Sequence, residues 1–121
     1  MNLVAVALGG ALGASARYLA GRGLIAAGME GFWAIAIINV VGAGILGYVT
    51  GAYVAEGFRN QPLFLFLTVG ALGGFTTFST WTADSVALWD EGRSMLAALN
   101  LVVPPIAGVG AVIAGLAIGR S

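Results

Sequence analysis

Three stretches of this chain carry no charge at all: 25 residues between Glu30 and Glu56, 24 between Arg59 and Asp84, and 26 between Arg93 and Arg120. A helix needs about 20 apolar residues to cross the hydrocarbon core of a bilayer, so each run is long enough to span one. A further 16 uncharged residues precede Arg17. Only 8% of the residues are charged, whereas a soluble domain carries about a quarter. These runs predict an all-α membrane protein with transmembrane helices near 2–27, 32–55, 62–91 and 95–119, forming a single domain over residues 1–121. Its expected place is the cell (inner or plasma) membrane, crossed several times.

The first run lacks a basic leader and a cleavage pattern, so it is expected to be a retained helix and not a secretory signal. Short polar joints separate the spans, "GMEG" at 28–31, "EGFRNQP" at 56–62 and "DEGRS" at 90–94, leaving no room for a second domain. The chain has no cysteine, histidine or lysine. Disulfides, thiol chemistry and imidazole metal ligands are therefore excluded, and a bound metal would need oxygen ligands. No base accompanies a nucleophile and no phosphate loop follows a strand, so an enzyme is not expected; no nucleic-acid partner is expected either.

Arginine normally marks the cytoplasmic side. Across four spans Arg22 and Arg93 fall on one side and Arg59 and Arg120 on the other, a tie of two against two. Either the charges are too few to orient the chain, or copies insert both ways and pair antiparallel. Glycines four residues apart recur at Gly9 and Gly13, Gly47 and Gly51, Gly70 and Gly74, and Gly115 and Gly119. Small residues at that spacing let helix backbones approach closely in lipid. With four thin helices, an oligomer is the expected unit.

The segment "GGFTTFST" at 73–80 stands out within the third span. Pro62 suits the first turn of that helix, and Gly73 and Gly74 permit unusual dihedrals beyond Leu72. Two conformations are open. In one the helix breaks near 73–80 and frees carbonyls for a hard cation. In the other it continues, with the hydroxyls of Thr76, Thr77, Ser79 and Thr80 bonded back one turn. Phe75, Phe78 and Trp81 recur every three residues along one side, either as packing surface or as rings whose electropositive edges meet a small anion. Asn39 either bonds a neighbouring helix or lines a polar path. Arg17, an ionisable residue inside the first span, either snorkels or faces a wet vestibule; Arg22, nearer the helix end, is expected to snorkel. Asp84 is a candidate anchor or arginine partner.

Three segments together, "GGALGASARY" (9–18), "INVVGAGILG" (38–47) and "GALGGFTTFST" (70–80), resemble the Fluc/CrcB fluoride channel family, and the resemblance covers essentially the whole chain. It implies an antiparallel dual-topology dimer with two fluoride pores and a sodium ion at the dimer interface. Carried onto this sequence, it implies sodium on the backbone carbonyls of Gly73 and Thr76, with Phe78 and Trp81 as aromatic anion contacts. Asn39 becomes a pore donor, Thr77, Ser79, Thr80 and Asn100 join the anion pathway, and Arg17 lies near an aqueous vestibule. The chain departs from the family pattern at Ile35, where a threonine is usual, at Trp81, where phenylalanine is usual, and at Pro104, where a serine usually follows the position of Asn100. Pro104 and Pro105 remove a hydroxyl and two backbone donors.

The implied function is passive, fluoride-selective export of cytoplasmic fluoride, with selectivity arising from fixed donors that replace the water around a small anion. The alternative is a partly degenerate subunit that works only with a homologous second chain. A small proton-coupled multidrug transporter is disfavoured, because that chemistry wants a carboxylate buried in a helix and the first span has none.

Overall fold

A computed structural model describes residues 1–54 and 57–121. Glu56 and the expected helix end at 55 lie outside the described residues. The architecture is all-helical: α1 is Asn2–Ala26, α2 is Gly31–Tyr53 and α5 is Ser94–Arg120. The span Pro62–Asp90 is built from two pieces, α3 at 62–75 and α4 at Phe78–Asp90. A short 3-10 turn, Phe58–Asn60, precedes it. All four spans are long and apolar enough to cross a membrane.

Two glycines end helices in the same way. After α1, Gly28 takes φ 97°, and the N–H groups of Gly28 and Met29 bond the carbonyls of Ile25 and Leu24 at 3.0 and 3.1 Å. After α4, Gly92 takes φ 78°, and the N–H groups of Gly92 and Arg93 bond Trp89 and Leu88 at 3.0 and 2.9 Å. Both are Schellman closures, whose left-handed residue only glycine adopts without strain. The two turns are tied together by Arg93, which grips both carboxylate oxygens of Glu30 at 2.6 and 2.9 Å.

The helices pack in two glycine-lined pairs. A Cβ on Gly13 would strike the Ala71 carbonyl, and one on Gly70 would lie 2.8 Å from the Gly9 Cα, so α1 and α3 meet backbone to backbone. In the same way Gly47 faces Val112, and Gly115 faces the Gly44 carbonyl, joining α2 to α5. Every glycine pair expected from its spacing is therefore used inside one chain. The close helix approach expected from that spacing is thus met by contacts between helices of one chain. Large side chains such as Leu3, Leu19, Val86, Ile106 and Ile113 point outward, as lipid permits. A small buried cluster of Phe32, Leu88 and Ala97 closes the end near Arg93.

The third span differs from a plain helix at two places. Phe66–Leu72 is π-helical, and the Gly73 N–H reaches back to the Thr68 carbonyl. Such widened turns recur at functional sites; nothing in the residue pattern marks this one. Beyond Phe75, Thr76 (φ −87°, ψ 154°) and Thr77 (φ −147°, ψ 121°) are extended, and the helix restarts at Phe78. The hydroxyls divide between the two conformations open to the sequence. Thr76 Oγ1 bonds back to the Leu72 carbonyl at 3.0 Å, whereas Thr77 Oγ1 caps α4 by accepting the Thr80 N–H at 3.3 Å.

Candidate functional site

The extended pair is held from α2. Asn39 donates from Nδ2 to the Thr77 carbonyl at 2.9 Å, and its Oδ1 accepts the Thr77 N–H at 2.8 Å. One side-chain amide thus satisfies both backbone groups of a residue that has left the helix, which is what membrane depth demands. Gly42, one turn along α2, leaves room for the side chains of Thr76 and Phe75; a Cβ there would lie 3.3 Å from the Phe75 ring.

The rearrangement changes where several backbone groups point. In an unbroken helix the Thr77 N–H would bond the Gly73 carbonyl, and the Thr80 N–H would bond that of Thr76. Here the first goes to Asn39 and the second to the Thr77 hydroxyl. The Gly74 carbonyl accepts Arg17 Nε at 3.1 Å. Arg17 therefore lies against the interruption from α1, half-buried, and does not reach outward alone along its helix. Arg22 donates to the Tyr18 hydroxyl at 3.1 Å, out at the exposed end of α1.

The aromatic stripe is split. Phe75 packs against Gly42 on α2, while Phe78, on the far side of the extended pair, is 74% exposed. Trp81 lies 5.5 Å from Phe78 between ring centroids, tilted by 60°. Regular helical spacing would have aligned all three; the two extended residues interrupt it. Together with Asn39, Thr76, Thr77, Pro104, Pro105 and Gly108, Phe78 and Trp81 line one open groove. The Thr77 hydroxyl lies 3.5 Å from that of Ser79 and 3.3 Å from that of Thr80, so these three hydroxyls cluster at the start of α4.

Asn100 sits elsewhere. It is 5% exposed, lines a separate apolar cavity with Phe32, Trp33 and Ala36, and donates from Nδ2 to Ser85 Oγ at 2.9 Å. Its carbonyl accepts the Trp81 indole N–H at 2.6 Å. Ser85 in turn donates to the Trp81 carbonyl at 3.0 Å, closing a three-bond ring between α4 and α5. The sequence does not single out Ser85; the available signal is its place four residues after Trp81, on the same face of a helix. Asp84 finds no arginine among the described residues, and one of its carboxylate oxygens is buried without a hydrogen-bond partner.

No group of three His, Cys, Asp or Glu residues that could hold a metal gathers among the described residues. What the arrangement offers chemically is a set of uncharged donors, ring edges and helix-freed carbonyls at membrane depth. Such a surface can handle small ions but supplies no nucleophile or base.

The CrcB-like family, described as Camphor Resistance (CrcB), matches residues 4–116. A protein of Agrobacterium fabrum named fluoride-specific ion channel FluC is 36% identical over all of this chain and 98% of its own length. A Cereibacter sphaeroides protein of that name is 42% identical, covering 99% of this chain and 92% of its own. Fluoride-specific ion channel FluC 2 of Symbiobacterium thermophilum is 43% identical over 93% of each. Since the family match runs through all four spans and the relatives align nearly end to end, this chain belongs to the CrcB family.

Proposed function

We propose that this protein is a fluoride-selective channel through which cytoplasmic fluoride leaves passively down its gradient, lowering its internal concentration and its toxicity. Its four apolar helices and its family make it a multi-pass membrane protein. The observation that carries the reading is the extended Thr76–Thr77 pair, fixed by Asn39 beside an exposed Phe78, in a chain whose relatives bear the name fluoride-specific ion channel.

Fluoride is small and strongly hydrated, so a selective path must replace its water with fixed donors. The Asn39 amide has a second N–H beyond the one on Thr77, and the hydroxyls of Thr77, Ser79 and Thr80 cluster where the helix that it holds restarts. Ring edges of Phe78 and Trp81 add electropositive C–H groups. Arg17, anchored through Nε, keeps its two terminal nitrogens for an aqueous vestibule. Asn100 contributes through Trp81, because its own amide is spent on Ser85.

Sodium fits the freed carbonyls of Gly73 and Thr76. Both are uncharged, hard oxygen donors whose helical N–H partners are engaged elsewhere. Two carbonyls make only a partial shell. A second, antiparallel copy related by a two-fold axis would double the set and cover the exposed Gly73 and Phe78. The evenly divided arginines are compatible with insertion in both orientations.

The test is fluoride efflux from liposomes containing the purified single chain, read with an ion-selective electrode and compared with chloride-loaded vesicles. Rapid efflux of fluoride alone supports a self-sufficient channel; equal chloride efflux contradicts the reading. Silence from a folded dimer would favour the partner-dependent subunit, for which Ile35 and Pro104 are the first residues to exchange.

A further inference from the structure

We infer that Pro104 and Trp81, on different helices, act as one unit that sets the position of the indole in the groove. The inference rests on the channel reading only for its consequence, not for the contact itself. In α5 the Asn100 carbonyl would ordinarily accept the N–H of residue 104, but Pro104 has none. An unpartnered carbonyl at membrane depth is costly. Here it is filled from outside the helix, by the Trp81 indole N–H at 2.6 Å. Phenylalanine at position 81 would have no N–H to give, and serine or alanine at position 104 would make the indole's contribution redundant. The two residues therefore belong together.

Two further bonds hold the arrangement. Asn100 Nδ2 donates to Ser85 Oγ, and Ser85 Oγ donates to the carbonyl of Trp81 itself. The indole is thus pinned at its ring nitrogen and at its own backbone. Its N–H points at α5 and is not available to an anion, so Trp81 meets the groove through carbon edges alone. Trp81 is a positioning residue: its ring, tilted 60° to Phe78 at 5.5 Å, fixes the wall beside the exposed phenylalanine. Pro105 opens the Leu101 carbonyl by the same logic, yet that carbonyl is not the one Trp81 fills. Pro105 is therefore the natural control.

The experiment uses the full chain labelled with 15N-tryptophan in micelles, where Trp33, Trp81 and Trp89 give three indole N–H signals. The signal lost in Trp81→Phe is expected to lie downfield and to exchange slowly with deuterated solvent. Pro104→Ala restores a competing helical N–H, so that signal should move upfield and exchange faster, whereas Pro105→Ala should leave it in place. A Trp81 signal unmoved by Pro104→Ala overturns the inference whether or not the protein conducts. In liposomes the same pair is read by fluoride over chloride selectivity and by melting temperature. Trp81→Phe should lower both, and adding Pro104→Ala should recover more in that background than it gains in the wild type. Strictly additive effects would also overturn the coupling. A wild-type chain that passes no fluoride by itself would count against a self-sufficient channel and leave the spectroscopic arm intact.

Discussion

Asn39 and Thr77 exchange two hydrogen bonds, at 2.8 and 2.9 Å, across 38 positions of sequence. The amide takes the place of a neighbouring strand for one extended residue inside a helical span. Asn39→Leu should therefore strand both backbone groups of Thr77. Each unpaired buried group costs about 1–3 kcal/mol, so a clear loss of thermal stability in detergent is expected, with loss of fluoride efflux. Asn39→Asp keeps the acceptor for the N–H but sets a carboxylate oxygen against the Thr77 carbonyl, and should be no better. A melting temperature unchanged by Asn39→Leu would show that the pair does not hold the extended segment.

The contact between α1 and α3 gives a second expectation. Gly13→Ala would drive its methyl into the Ala71 backbone, whereas Gly23→Ala meets nothing within 4 Å. Overpacking of this kind costs about 1–3 kcal/mol. Thermal unfolding of the two purified variants should differ in that order, with Gly23→Ala close to the wild type. Equal melting temperatures would mean that the helices separate freely.

Thr77 also caps α4 through its hydroxyl. Thr77→Val removes the cap, and losing an N-cap costs about 0.5–2 kcal/mol. Thr77→Ser keeps the oxygen and should restore most of the stability. If valine and serine behave alike under thermal unfolding, the hydroxyl is not acting as a cap.

The link between the two glycine-closed turns is sensitive to pH. Arg93, donating to both oxygens of Glu30, holds that carboxyl below the usual carboxylate range. A lowered folded-state pKa means that the stabilisation is present above the ordinary carboxylate range and is lost as pH falls through the lowered one. Glu30 is exposed and Arg93 only half-buried, so the effect is small and screened by salt. Melting curves of the wild type and Glu30→Gln should differ slightly near neutral pH and converge in acid. A gap that widens toward low pH would reverse the assignment.

How much of this was legible beforehand depends on the kind of signal. The spans follow from the charge-free runs, because a charge at membrane depth is costly and so punctuates the sequence. The α3 start at Pro62 follows from the missing N–H of proline, which a first turn tolerates. Glycine spacing announced close helix contacts but not their partners. Gly9 and Gly13 meet α3, and Gly115 and Gly119 meet α2, a pairing that no local pattern encodes.

By itself, then, the sequence determined that this chain makes apolar helices with small-residue seams and a polar, glycine-rich interruption in the third span. Only the tertiary structure decided what that interruption bonds to. Asn39 reaches Thr77 across 38 residues, Arg17 reaches Gly74 across 57, and Trp81 reaches the Asn100 carbonyl across 19. In water, an apolar face and a polar face would have indicated which way each helix turns. In lipid the outside is as apolar as the inside, so periodicity is nearly silent. The orientation of each helix is set instead by where backbone can touch backbone and where freed hydrogen-bonding groups find partners.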